Sequence, residues 1–420
     1  MSTGESRHST RGYERIVLAL LFSATAANYL DRQALSVVAP VLAKQISLSS
    51  INYSRVIFVF LLGYTISQAL AGRLIDKIGT RLGMWLCVAT WSVVSMLHGL
   101  SAGVVSFGIL RFLLGVAEAG NWPGAVKAVS ENFPPARRAF AVGVFNSGST
   151  AGAILAPPIV SAVTAVWGWR MMFVVVGLSG FIWVFLWSTL YKREPAGPSE
   201  PAAARSCGDH SFRAYFHNKA VWGLMVGRSL ADPVWWFYVF WLPSYLAHSR
   251  GFSLVQIGHT AWIPFVFAGI GGWLGGYASD ALVRRGLPAV TARKIVMGCS
   301  ALLMLCGIFA SQASSGAITL AWVSVVLLGY TSWASNILSL PIDLFGSHEV
   351  GQVTGLTGTA GAIGGMAFTL VTGWLTENVS YESVFVVGSG MIICAAIFVA
   401  VLVPPTHLTV VGRRLVDDKT

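Results

Sequence analysis

The sequence predicts an all-α membrane protein of twelve transmembrane helices arranged as two pseudo-symmetric six-helix bundles. Three observations carry this expectation. Hydrophobic residues make up 55% of the 420-residue chain and charged residues 11%, against roughly 25% charged in soluble domains. Apolar runs long enough to cross a bilayer, about 20 residues, recur along the whole chain. The halves also echo one another: Phe133, Gly143, Gly152 and Phe173 match Phe345, Gly355, Gly364 and Phe385 at one offset of 212 positions.

The twelve spans are expected near 16–41, 54–73, 83–101, 104–129, 138–164, 170–191, 220–247, 254–279, 294–312, 317–342, 351–376 and 383–404. A basic arm (1–15), "IVLALLFS" and Ala24-Thr25-Ala26 have the form of a cleavable signal. The apolar run continues through "LSVVAPVL", however, so this segment reads as an uncleaved first span. Residues 16–191 make the N-terminal bundle and 220–404 the C-terminal one. The polar, Pro- and Ala-rich stretch 192–219 reads as a linker between them, and 405–420 as a tail.

Charge distribution sets the orientation. A net charge of +11 would suggest nucleic acid in a soluble chain. With the N-terminus inside, however, 21 of the 28 Lys and Arg fall in inner segments, four in outer ones and three within spans. That is the positive-inside pattern. It places both termini in the cytoplasm and leaves no nucleic-acid partner expected. The five cysteines show no C-x-x-C or metal spacing, so neither a disulfide, a metal nor a cofactor is expected.

The three basic residues within spans are Arg32, Arg111 and Arg228. A charge at the helix centre costs about 2.5–3.5 kcal/mol on insertion scales and is kept where it faces a cavity or a partner. At about 1.5 Å per residue, Asp31, Arg32 and Arg111 share one layer just outside the midplane. Glu118, two turns beyond Arg111 on the same helix face, lies about 10.5 Å deeper. Asp31 and Arg32 point about 100° apart and cannot pair comfortably along one helix. The expectation is therefore that Asp31 meets Arg111 across spans one and four, with Glu118 one storey below. An Arg offers planar, bidentate recognition of a carboxylate. Desolvation favours the neutral form of a carboxyl group, so acids in such a setting can carry protons. The arrangement suits proton-coupled uptake of an anion. A static ion-pair network pinning two helices is the alternative.

Arg228 and Asp232 form an (i, i+4) pair before Pro233 and read as structural. His98, His259 and Asp343, near span ends, read as solvated. Uncharged candidates are Tyr64 and Gln68, one turn apart in span two, and Asn146 and Ser149 in "FNSGSTAG", where Gly148 and Gly152 also suit a close-packing seam. "WWFYVFW" (235–241) offers ring faces for a sugar or belongs to an interface belt. No nucleophile–base pair or metal cluster appears in the spans, so the chain does not read as an enzyme.

The loop after span two reads Gly72, Asp76, Lys77, Gly79 and Arg81, matching G-x-x-x-D-[RK]-x-G-x-[RK], and "GYASDALVRR" repeats its outline around Asp280. In this the chain resembles the major facilitator superfamily. The resemblance implies the major facilitator fold, alternating access, and a latch at these residues that holds the halves together on the cytoplasmic side.

"NYLDRQALSVVAP", "RFLLGVAEAGNWPGAVKAVSENFP", "FNSGSTAGAILAPP" and "ADPVWWFYVFWLPSYL" are most similar to the hexuronate transporters of the anion:cation symporter branch. That resemblance implies proton coupling at Asp31 and Glu118. It implies anion contacts at Arg32 and Arg111, and a substrate-side tyrosine at Tyr64. Two departures are Ser149, where relatives carry a larger polar residue, and the small residues of "GLTGTAGAIGGMAF" in span eleven, where an Asn is expected. Both favour a hexuronate over an aldonate. The expectation is a monomeric, proton-coupled importer of a hexuronate-like sugar acid in a bacterial inner membrane. Its partners are a carboxylate substrate, the proton and the lipid bilayer. Another carboxylate (aldonate, aldarate or aromatic acid) is the nearest alternative. A sensor with the same fold is a more distant one, since neither arm nor tail is long enough for a signalling domain.

Overall fold

The structure, a computed structural model, describes residues 3–192, 212–345 and 350–405. Most of the expected linker and nearly all of the tail lie outside the described residues, as do Cys207, Arg193, Arg205, Arg413, Arg414 and Lys419. The described residues form helices α1 (Thr3–Gln45), α2 (Ser50–Ile78), α3 (Thr80–Leu97), α4 (Val104–Glu118), α5 (Asn121–Asn132), α6 (Pro135–Leu190), α7 (Lys219–Arg250), α8 (Leu254–Thr260), α9 (Ile263–Arg284), α10 (Ala289–Met304), α11 (Gly307–Gln312), α12 (Gly316–Leu344), α13 (Val350–Asn378) and α14 (Tyr381–Leu402). None of them is a strand.

These helices make the twelve spans. Among the described residues eight helices are long and apolar enough to cross a membrane, and a ninth is α2, bent by 46°. α6 counts once in that set yet holds the fifth and sixth spans, joined at Gly168 (φ 77, ψ 166). Only glycine tolerates this positive φ without steric cost. α1, with Asp31 and Arg32, and α7, with Arg228 and Asp232, complete the number. α4 with α5, α8 with α9, and α10 with α11 are single crossings interrupted by a turn. Large apolar side chains stand outward, with Trp273 79%, Val105 77% and Val401 74% exposed. Such outward apolar surface suits lipid contact.

The described residues fall into two compact units. The first takes in Met1–Arg193, Phe237–Val266 and Thr369–Tyr381. Within it α1 packs along α6, α2 along α4, and α3 along α6. The α1–α6 contact is the seam expected at "FNSGSTAG": a Cβ at Gly148 or Gly152 would collide with the backbone of Phe22 or Ala26. Trp91, Phe107, Phe145, Phe173 and Trp187 fill the core.

The later part of α7 also belongs to this unit. The Phe240 carbonyl accepts hydrogen bonds from Tyr53 Oη (2.6 Å) and Ser36 Oγ (3.0 Å), and Trp241 packs edge-on against Tyr53. Tyr238 and Trp241 are buried, so this stretch is packed core and forms no interface belt.

The second unit takes in Glu194–Trp236, Phe267–Phe368 and Glu382–Thr420. There α10 packs on α12, with Ser300 and Ser332 hydroxyls 2.8 Å apart and Asn336 Nδ2 donating to the Gly275 carbonyl. Small and polar side chains of this kind join helices where lipid supplies no hydrophobic drive.

Two expectations of solvated side chains fail. His98 is fully buried, its Nδ1 2.8 Å from the Val94 carbonyl and its ring stacked on Phe173. The end of α3 winds into a tight turn over His98–Leu100, which carries the ring into the core. Asp343 is paired with Arg293, Nε to Oδ2 at 2.5 Å, because the start of α10 lies against the end of α12.

Candidate functional site

The charged residues of spans one and four meet inside the first unit. Because Asp31 and Arg32 are neighbours on α1, they face different helices. Asp31 turns to α3, where Ser95 Oγ donates to Oδ1 at 2.6 Å. Arg32 turns to α4, its Nε 2.7 Å from Glu118 Oε2. The pair is dry, with side chains 4% and 0% exposed. Three rings enclose the Arg32 guanidinium: its carbon lies 4.4 Å from the Tyr64 ring centre, 5.1 Å from Tyr29 and 5.5 Å from Phe60. Desolvated cation–π contacts of this kind contribute about 2 kcal/mol.

This corrects the expected pairing. Asp31 does not pair with Arg111. Arg111 is 1% exposed, and among the described residues its Nε and Nη2 have no hydrogen-bond partner. Nor does Glu118 sit a storey apart from Arg32. Depth counted along the axis fixes backbone positions, whereas side chains lean toward the N-terminus of their own helix. α1 and α4 run antiparallel, so Arg32 and Glu118 lean toward each other and close the gap.

Tyr64 is half-buried under Arg32. Gln68, a turn further along α2, is exposed. Asn146 is exposed on α6, and Ser149 Oγ donates back to the Asn146 carbonyl at 2.7 Å. Among the described residues neither side chain hydrogen-bonds to the Arg32–Glu118 pair.

Sequence reasoning missed Ser95, Tyr29 and Phe60. Tyr29 had a signal, three residues before Arg32 on the same helix. Ser95, one of several small hydroxyls in an apolar span, had none.

The loop motif is ordered around Gly79 (φ 87), which ends α2 and begins α3. Asp76 Oδ1 lies 2.9 Å from Lys127 Nζ, which also donates to the Ile75 carbonyl. Arg81 Nη2 donates to the Ser188 carbonyl at 2.7 Å. Gly72 faces Pro123, where a Cβ would make only ordinary contact, and Lys77 is exposed. In the second unit Asp280 lies 3.8 Å from Arg293. Lys127, which the sequence reading did not single out, is thus the partner of Asp76.

A dozen crossings, a charged pair sealed between the first and fourth, and a glycine–aspartate–arginine loop after the second describe a solute carrier. Residues 21–369 match the Major Facilitator Superfamily, and the chain belongs to that family. It is a multi-pass membrane transporter rather than an enzyme. A hexuronate transporter of Escherichia coli (strain K12) is 30% identical over 397 residues, covering 90% of this chain and 91% of that protein. A probable galactarate/D-glucarate transporter of the same strain is 27% identical, covering 94% of each. Among solved structures, a D-xylose-proton symporter superposes with a TM-score of 0.78 at 16% identity, over 94% of this chain and 100% of that one. At that identity the likeness is one of fold.

Proposed function

We propose that this chain is a proton-coupled symporter that imports a hexuronate-like sugar acid by alternating access between two six-helix halves. The observation that carries the reading is the dry Arg32–Glu118 pair in its ring of aromatic side chains. An ionised Glu118 occupies the guanidinium. A protonated one releases it, and a substrate carboxylate takes the vacated edge with no change in net charge. A proton and an anion then enter together, because neither change leaves a buried charge unopposed.

Asp31 is the second proposed proton carrier. The unpartnered Nε and Nη2 of Arg111 await an anion in another conformation, either Asp31 or the substrate. Tyr64 borders the carboxylate position, while Gln68, Asn146 and Ser149 are proposed contacts for sugar hydroxyls. Gly72, Asp76, Lys77, Gly79, Arg81 and Asp280 form the proposed latch. Basic inner segments support cytoplasmic termini, and a bacterial inner membrane is the proposed site. The names of the two relatives support a sugar acid as cargo, with an aldarate or another carboxylate as the second reading.

Uptake into proteoliposomes tests the proposal. An inward proton gradient should concentrate glucuronate or galacturonate and leave glucose unmoved. Equal uptake with and without the gradient would refute proton coupling, and uptake of glucose alone would refute the substrate class.

A further inference from the structure

The second unit holds a charged pair of its own. On α7, Arg228 Nε and Nη2 both donate to a single oxygen of Asp232, Oδ2, at 3.0 and 2.8 Å. The other oxygen, Oδ1, lies 3.5 Å from Tyr330 Oη. Trp235, one turn on, stacks on the Tyr330 ring with centres 5.5 Å apart. Residue 361 of α13 is the wall behind the carboxylate: a Cβ there would collide with Asp232 Oδ2, so only glycine lets the acid sit so close.

A guanidinium has two edges that fit a carboxylate. Asp232 takes the side edge, Nε with Nη2. The end edge, Nη1 with the remaining hydrogen of Nη2, makes no hydrogen bond among the described residues. The Arg228 side chain keeps 18% of its surface exposed in the middle of a membrane helix. Charged groups at that depth face water-filled space in preference to hydrocarbon. Asp232 thus aims the arginine and holds it still, leaving the end edge without a hydrogen bond; its Nη1 faces Gly358 of α13, where a Cβ would stand 3.4 Å away and the missing side chain keeps the approach clear.

We propose that Arg228 is an anion-binding contact that takes a carboxylate on its end edge, with Asp232 as its positioning residue. The inference rests on the sugar-acid reading and extends it to a second point of recognition.

The test is a titration of purified full-length protein with glucarate, glucuronate and glucose, followed by thermal shift and calorimetry. Wild type is compared with Arg228→Lys, which keeps the charge but loses the planar fork. It is also compared with Arg228→Gln/Asp232→Asn, which removes both charges together and strands neither. Acid binding should weaken about ten- to a hundredfold in both variants, with the unliganded melting temperature of the lysine variant unchanged. Should the double variant not fold, the lysine variant decides. Acid affinities matching wild type overturn this inference alone. A wild type that responds to none of the acids overturns it together with the sugar-acid reading.

Discussion

Arg32 and Glu118, 86 residues apart in sequence, share a 2.7 Å ion pair from which water is excluded. Breaking a buried pair from one side leaves an uncompensated charge and costs about 3–5 kcal/mol, whereas replacing both members with apolar residues is often neutral. Arg32→Met should therefore destabilise the protein by about that amount, and Arg32→Met/Glu118→Leu should recover most of it. Unfolding in detergent micelles checks this. Equal losses in the single and double variants would show that packing, and not charge, holds spans one and four together.

Glu118→Gln preserves shape and one acceptor oxygen but cannot ionise. The variant should still exchange labelled substrate for unlabelled across the bilayer, while accumulation driven by a pH gradient disappears. Paired counterflow and gradient-driven assays in proteoliposomes separate these activities. Concentrative uptake by the variant would remove Glu118 from the coupling step.

Arg111 makes a contrasting case. Among the described residues its Nε and Nη2 have no hydrogen-bond partner, so Arg111→Met deletes no hydrogen bond at those atoms and removes a costly buried charge, keeping an apolar side chain against the Phe60 and Phe173 rings. Stability should hold or rise, while carboxylate affinity is lost. A melting curve and a binding titration on the same sample decide the matter, and unchanged affinity would free Arg111 of any substrate role.

Asp76 and Lys127 are joined by a partly exposed pair, 2.9 Å long. Exposed pairs contribute about 0–1 kcal/mol, so Asp76→Asn should barely alter melting. Its expected effect is on the balance between inward- and outward-open states, read as altered maleimide labelling of a cysteine placed in each vestibule. Identical labelling in wild type and variant would leave Asp76 as loop structure.

The spans were legible because crossing a bilayer demands a run of fixed length, and that demand is written locally. The Arg228–Asp232 pair was legible for the same reason: both partners lie on one helix, one turn apart. What could not be read was which helix faces which. Asp31 bonds to Ser95, a residue type that recurs throughout the apolar runs, and Arg32 reaches Glu118 through side-chain lean that a count along the axis ignores. His98 reads as lying at the end of a span yet is central in the packing, since a turn of three residues decides where its ring goes.

The fifth and sixth crossings run into one another at Gly168 with no intervening loop. The next residue, Trp169, is pinned through Nε1 to Gln45 Oε1 at the end of α1, 2.6 Å away. This hairpin tip leaves no loop to take up slack, so a tilt of the fifth crossing is expected to carry the sixth with it, the first helix bearing the joint.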